Sequence, residues 1–210
     1  MRLFRCLVNL NTQRKTMKSL FLVLVNLLFS FGVIAQVSPK GIQVNDKAPD
    51  FTAKDQNGKK IRLKNALKNG AVVLVFYRGQ WCPYCNKQLK ALQDSLSFIK
   101  EKGATLIAVS PEIPDNISKT VDKTKAAYPV LFDDSLKIMK SYDVAYRVDS
   151  TTIEKYKKFG IDFYDVNGSN GATLPVPAVY IINKEGIIIF KHFDPDYGKR
   201  VSVQEILLHL

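Results

Sequence analysis

The sequence predicts an α/β fold with a mainly parallel central sheet, an antiparallel C-terminal hairpin and helices on both faces. Three observations predict it. The runs Ala71–Tyr77 and Thr105–Val109 are continuously apolar or β-branched over the length of a strand, as expected where both faces of a sheet are covered. Each is followed by a segment with helical spacing of its apolar residues, and strand, helix, strand, helix in that order implies right-handed parallel crossovers. Ala178–Ile182 and Ile187–Phe190 are joined through Asn183-Lys-Glu-Gly186, which reads as a hairpin.

The remaining elements follow in chain order. From Val44, a short strand within Ala48–Gly58 turns at Asn57-Gly58 and returns through Lys60–Leu63 as a second hairpin. A short helix over Asn65–Asn69 ends at Gly70. After the first buried strand, Arg78-Gly79-Gln80-Trp81 leads into a helix predicted from Cys82 to Lys102, with Leu89, Leu92, Leu96 and Ile99 on one face and Gly103 as its stop. Ser110-Pro111 follows the second buried strand and precedes a helix in which Ile117 and Val121 face inward. Tyr128–Phe132 is short enough for an edge strand, and Asp133-Asp134-Ser135 starts a helix carrying Leu136, Met139 and Tyr142. Tyr146–Thr173 shows no strong periodicity and includes Asn167-Gly-Ser-Asn-Gly171, so it reads as an insertion or long loop. A terminal helix is expected over Ser202–Leu210.

At 210 residues, 46% hydrophobic and 24% charged, the chain has the composition of one globular domain, 44–210, plus an N-terminal appendage. Met17-Lys18 precedes an apolar run from Leu20 to Ile34, and Val33 and Ala35 occupy the small-residue positions of a cleavage site, so residues 1–35 read as an export signal cut after Ala35. Such a signal gives a periplasmic address, with the membrane contacted only through this segment if it stays uncleaved. Met17 begins a complete signal by itself, which leaves residues 1–16 as a mis-assigned start. Removing 1–35 takes away five Lys or Arg and no acid, so the formal charge of +12 falls to +7. The other lysines are spread along the chain without an aromatic platform or a phosphate-cradling glycine loop, which reads as solvated surface and not as a nucleic-acid interface.

Of three cysteines, Cys6 lies in the appendage, leaving Cys82-Pro83-Tyr84-Cys85 behind Trp81. A single close pair without a distant partner is a poor staple for an exported domain and a good redox couple. With Cys82 at a helix N-terminus and Cys85 one turn in, unpaired backbone N–H groups and the positive end of the helix dipole favour a thiolate. Pro83 fits the first helical turn, where a missing N–H costs nothing. By this geometry Cys82 is the exposed attacking sulfur and Cys85 the recessed resolving one. Arg78, four residues earlier, stays charged and offers several donors to a thiolate or a peroxide oxygen. Trp81 is expected to shield the disulfide and contribute to the docking surface. His192 and His209 read as surface or core histidines, and Asp196 and Arg200 as caps of the last helix.

Phe76-Tyr-Arg-Gly-Gln-Trp-Cys-Pro-Tyr-Cys85, Leu174-Pro-Val-Pro-Ala178 ahead of a hairpin, and Asp194-Pro-Asp-Tyr197 before a final helix together resemble the peroxiredoxin-like branch of the alkyl hydroperoxide reductase/thiol-specific antioxidant family. The resemblance covers Val44 to Leu210. It implies a thioredoxin-like fold, a thiol-dependent peroxidase with no cofactor and no resident metal, a hydroperoxide substrate and a thioredoxin-like electron donor. It also implies a cis proline at Pro177 beside the sulfurs, contributing to substrate binding. Typical peroxiredoxins carry proline, three residues, threonine, two residues and the peroxidatic cysteine. On that register Arg78 stands at the proline, Cys82 at the threonine and Cys85 at the cysteine, so Cys85 would meet peroxide and Cys82 would condense with its sulfenic acid. The arginine such enzymes place near the late hairpin is replaced by Pro177. The buried acid that thioredoxin carries in the strand before its motif is replaced by Phe76. These departures open a second reading, a thiol-disulfide oxidoreductase acting on protein disulfides. A third, the copper carriers of this fold, would need His192 to converge with the two cysteines.

Overall fold

A computed structural model describes residues 38–210, so the export segment expected over 1–35 lies outside the described residues. The domain is organised around a five-stranded mixed sheet. Its strands are β3 (Val72–Phe76), β4 (Thr105–Ser110), β5 (Val130–Phe132), β8 (Ala178–Ile182) and β9 (Ile188–Phe193), in the order β5-β4-β3-β8-β9. β3, β4 and β5 are parallel, and β8 runs antiparallel to both β3 and β9. Two small ribbons flank the sheet. β1 (Thr52–Lys54) pairs with β2 (Lys60–Arg62), and β6 (Ala145–Arg147) with β7 (Thr173–Pro175), both antiparallel.

Strand alternation divides the core in two. Val72, Leu74 and Phe76 point to one face, where α1 (Leu63–Ala66) and α5 (Lys137–Ser141) supply Leu63, Ile138 and Met139. Val73, Val75 and Tyr77 point to the other, covered by α2 (Pro83–Asp94), α3 (Leu96–Glu101), α4 (Pro114–Thr124) and α8 (Val203–Leu208), which contribute Leu89, Leu92, Ile99, Ile117 and Ile206. Every residue of β3 is buried, which accounts for its unbroken apolar run.

Four expectations change. The helix drawn over Cys82–Lys102 is two, because Ser95 leaves helical geometry (φ −106°, ψ 12°) between Asp94 and Leu96. The short helix before Gly70 begins earlier, as α1, and passes into a 3₁₀ turn over Leu67–Asn69. The helix expected from Asp133 starts with a 3₁₀ turn, Asp134–Leu136, and α5 follows because the Asp133 carboxylate accepts from the N–H groups of Ile138 (2.9 Å) and Met139 (2.7 Å). The presumed loop 146–173 is ordered. It holds most of β6, then α6 (Ser150–Lys158), α7 (Phe163–Asn167) and a 3₁₀ turn over Gly168–Asn170, before β7 opens at Thr173. Val148, Phe163, Ala172 and Leu174 form a third small core there, packed against Trp81, Tyr146 and Tyr156.

Candidate active site

β3 ends at Phe76, and the loop 77–81 carries the chain from the C-terminal edge of the parallel strands to the start of α2. Cys82 is the N-cap of α2 with extended backbone (φ −87°, ψ 109°), and Pro83 occupies the first turn. The Cys82 sulfur takes the capping role usually filled by a side-chain oxygen, accepting the Cys85 N–H at 3.4 Å. The two sulfurs are 2.6 Å apart and both cysteines are free. The pair therefore opens a helix at a strand end, within reach of a reversible bond.

Neither sulfur is exposed: Cys82 is 1% and Cys85 0% accessible. The expectation that Cys82 faces solvent is corrected here, because Cys82 lies in the buried cluster on the helix-covered face of the sheet, with Trp81 packed against that cluster. The two thiols are nevertheless chemically unequal. A hydrogen bond from the Cys85 thiol, the Cys85 backbone N–H and the charges of Arg78 and Arg200 outweigh burial and lower the Cys82 thiol to about 6. Burial, followed by its bond to Cys82, pushes the Cys85 thiol well above the usual range. These opposite shifts make Cys82 the more acidic of the two thiols.

Arg78 is not a surface loop arginine; it is 2% exposed. Its Nη2 donates to the Tyr156 hydroxyl at 2.6 Å, and its guanidinium lies 4.9 Å from the Trp81 ring centroid, 5.5 Å from Tyr156 and 4.2 Å from Tyr197. Trp81 packs edge-on against Tyr156 (5.2 Å) and Phe163 (5.7 Å), so it seals the site inward, while Tyr84 and Tyr197 stand edge to face at 5.9 Å on the outer rim, each roughly half exposed. Arg200 does not cap the last helix. Ser202 does, its Oγ accepting from Glu205 N–H, and Arg200 instead directs Nη2 at the Cys85 sulfur, 3.5 Å away. Asp196 closes its own turn by accepting from Gly198 N–H. Among the described residues, the buried Nε atoms of Arg78 and Arg200 and the Nε1 of Trp81 have no hydrogen-bond partner.

Pro177 immediately precedes β8, whose Ala178 pairs with Phe76, so it sits at the sheet end from which the cysteine loop departs. Its peptide bond is trans, as is every peptide bond among the described residues. Val176 N–H donates to Val144 O and the chain runs extended from β7 into β8 without a turn, which removes the expectation of a cis bond.

Phe76 occupies the position of the missing strand acid and packs on the far face with Tyr142 and Tyr180. A buried carboxyl does lie near the cysteine loop, from another element. Glu112, at the end of β4, is fully buried and accepts from Gln80 N–H. Sequence reading missed it, although its place just beyond a parallel strand, where ligand sites of open α/β sheets gather, was the signal available. Among the described residues, no group of three or more His, Cys, Asp or Glu side chains is placed to hold a metal ion, and His192, on β9, does not join the cysteines in one.

Comparison with known proteins agrees with this geometry. The AhpC/TSA family profile matches residues 44–191, and the chain belongs to that family. The thiol-disulfide oxidoreductase ResA of Bacillus thuringiensis (strain Al Hakam) is 35% identical over 115 residues, 54% of this chain and 65% of the relative. The chloroplastic peroxiredoxin Q of Arabidopsis thaliana is 32% identical over 141 residues, 67% of this chain and 55% of the relative. The matches thus span less than two thirds of these relatives. Among solved structures, the peroxidoxin BcpB of Mycobacterium tuberculosis shares the fold with a TM-score of 0.62 at 19% identity, covering 80% of this chain and 96% of that one. The thioredoxin domain of a thiol-disulfide oxidoreductase from Bacteroides vulgatus gives 0.52 at 20%, covering 75% and 93%. The thioredoxin-like fold expected from the sequence is the one found.

Proposed function

We propose that the protein is an exported thiol-dependent oxidoreductase that reduces hydroperoxides, with Cys82 as the attacking sulfur and Cys85 as the resolving one. The observation that carries this reading is an acidic thiol sealed at 1% exposure among buried, unpaired donors. A hydroperoxide is a small reactant, and its oxygens accept the hydrogen bonds that the unpaired Nε atoms of Arg78 and Arg200 and Nε1 of Trp81 offer. The Cys82 thiolate attacks one peroxide oxygen, the S–O bond forms, the O–O bond breaks, and the departing alkoxide takes a proton to leave as an alcohol. The Cys85 thiolate then attacks the Cys82 sulfenic acid. The S–S bond forms, and hydroxide leaves and is protonated to water. Two electrons from a dithiol donor of thioredoxin type restore both thiols. The roles follow helix geometry and not the peroxiredoxin register, which would assign the peroxide to Cys85.

Peroxide consumption by the mature protein tests it. Cys82→Ser should abolish turnover, and Cys85→Ser should allow one turnover that stops at a sulfenic acid trappable with dimedone. Turnover surviving in Cys82→Ser, or absent from wild type, overturns the assignment. A second reading, exchange with protein disulfides, is favoured by the second thiol at the threonine position of the register and by the half-exposed Tyr84 and Tyr197 at the rim. Insulin reduction without peroxide turnover would establish it. Export, a periplasmic location and the thioredoxin-type donor belong to the same proposal, resting on the apolar run behind Met17-Lys18 and on the redox couple.

A further inference from the structure

At the end of the sheet away from the cysteines, three segments distant in sequence enclose a groove of about 470 Å³. The chain over 47–50 runs beside the turn between β8 and β9, with Ala48 N–H donating to Gly186 O at 2.8 Å and Lys47 bridging to Ile187. α1 and the 3₁₀ turn after it close the third side, tied to the first segment by Leu63 N–H donating to Phe51 O. The β8–β9 turn follows Ile182, which pairs with Val72, whereas the cysteine loop departs beyond Phe76 at the other end of β3, about 13 Å along the strand. The groove is therefore separate from the thiol site and takes no part in the reaction proposed there.

Its charge is one-sided. Lys47, Arg62, Lys64, Lys68 and Lys184 line it, against Asp50 and Glu185. Asp50 is already committed: its Oδ2 accepts from Arg62 Nε at 2.8 Å and lies 2.8 Å from Arg62 Nη2, and its Oδ1 accepts from Lys64 N–H at 3.0 Å. Arg62 thus spends its planar fork on Asp50. The four lysines are exposed, and among the described residues none of them enters an ion pair. Four lysines against Glu185 alone leave an excess of three positive charges around one concavity. The floor between them is apolar, made by Ala48, Leu63 and Leu67, none more than 9% exposed.

We propose that this groove binds a small soluble molecule carrying a diphosphate or a longer phosphate chain, its anionic part among the lysines and its organic body on the Leu63 and Leu67 floor. The volume is that of a small-molecule site. Phosphate fits better than carboxylate, because lysine ammonium groups act as point charges toward a compact anion, while the guanidinium fork that would select a planar carboxylate is occupied by Asp50. A monophosphate, with about two negative charges, leaves part of the excess uncompensated. A second phosphoryl group meets it.

Calorimetry of the mature protein with inorganic pyrophosphate tests it, in about 0.1 M salt so that charges more than ~10 Å apart are screened. One equivalent should bind. Lys68→Gln and Lys184→Gln should each weaken binding about fivefold, as expected for the loss of one charge at about 4 Å in a water-like medium, and the double variant about twenty-fivefold. Lys155→Gln with Lys158→Gln removes the same charge from α6, which meets Arg78 at the cysteine end, and should leave the affinity unchanged. On binding, amide resonances of 64–68 and 184–186 should shift while those of 82–85 stay. All these side chains are exposed, and unchanged alkylation of Cys82 shows that each variant is folded. No binding by wild type, equal weakening by the α6 control, or shifts confined to the cysteine loop overturns the proposal. Vesicles of phosphatidylglycerol, against phosphatidylcholine, distinguish the other source of phosphate: capture by the anionic vesicles that pyrophosphate does not displace would assign the lysines to a lipid surface and overturn the soluble ligand.

Discussion

Cys82 and Cys85 differ by one helical turn and by the direction in which the site pushes their protons. Cys82 receives hydrogen bonds and faces two guanidinium groups, whereas Cys85 gives its hydrogen bond away and sits deeper. Alkylation by iodoacetamide should therefore be half-maximal near pH 6 and confined to Cys82. Cys85→Ala, which removes the largest stabilising contact, should move the midpoint up toward an ordinary thiol, and Arg78→Met should move it by less. Mass spectrometry of the alkylated peptide checks both the site and the profile. Cys82, Cys85, Arg78 and Trp81 were legible in the sequence because they lie within eight positions of one another. Glu112, Tyr156 and Arg200 were not. Each reaches the site from a different element, and the resolving sulfur and its nearest guanidinium are 115 positions apart. Local pattern carries no information on such a meeting.

The elements repeat this division. The buried strands and their crossovers were readable because periodicity reports continuous burial. The segment 146–173 was not, since α6 has no buried residue and α7 is a single turn anchored by Phe163 and Val166. Its apolar residues serve one aromatic cluster around Trp81 in place of a repeating face. The break at Ser95 was equally hidden, because Leu89, Leu92, Leu96 and Ile99 keep helical spacing across it. A tight junction elsewhere makes an element-level prediction. Gly70 has φ +149°, and a Cβ there would lie 1.7 Å from the Gly103 carbonyl oxygen, where the turn after α1 meets the turn entering β4. Gly70→Ala should destabilise the domain by more than about 2 kcal/mol, seen as a lower urea midpoint with an unchanged slope.

For the whole molecule, the order of strands and helices followed from the sequence, whereas the closure of the site over its sulfurs did not. That closure links pH to stability. Cys82 falls from an ordinary value of 9.0 to about 6 on folding, so its contribution is complete above pH 9 and lost as pH drops through 6. Glu112 rises from 4.5 to about 7, so its contribution is complete below pH 4.5 and lost as pH climbs through 7. The two opposing slopes should leave the reduced protein least stable between about pH 6 and 7 in urea denaturation under reductant. Glu112→Gln should remove the fall on the acid side and Cys82→Ser the recovery on the alkaline side. A wild-type curve that instead rises steadily from pH 4.5 to 9 would show that these groups do not govern it.

Arg78 joins three parts of the chain by lying among Trp81, Tyr156 and Tyr197. Its positive charge is permanent, whereas the negative charge on Cys82 disappears whenever that sulfur is oxidised. An enclosed cation deprived of its counter-charge depends more on the rings around it, and of these Tyr197 is the one that reaches the surface.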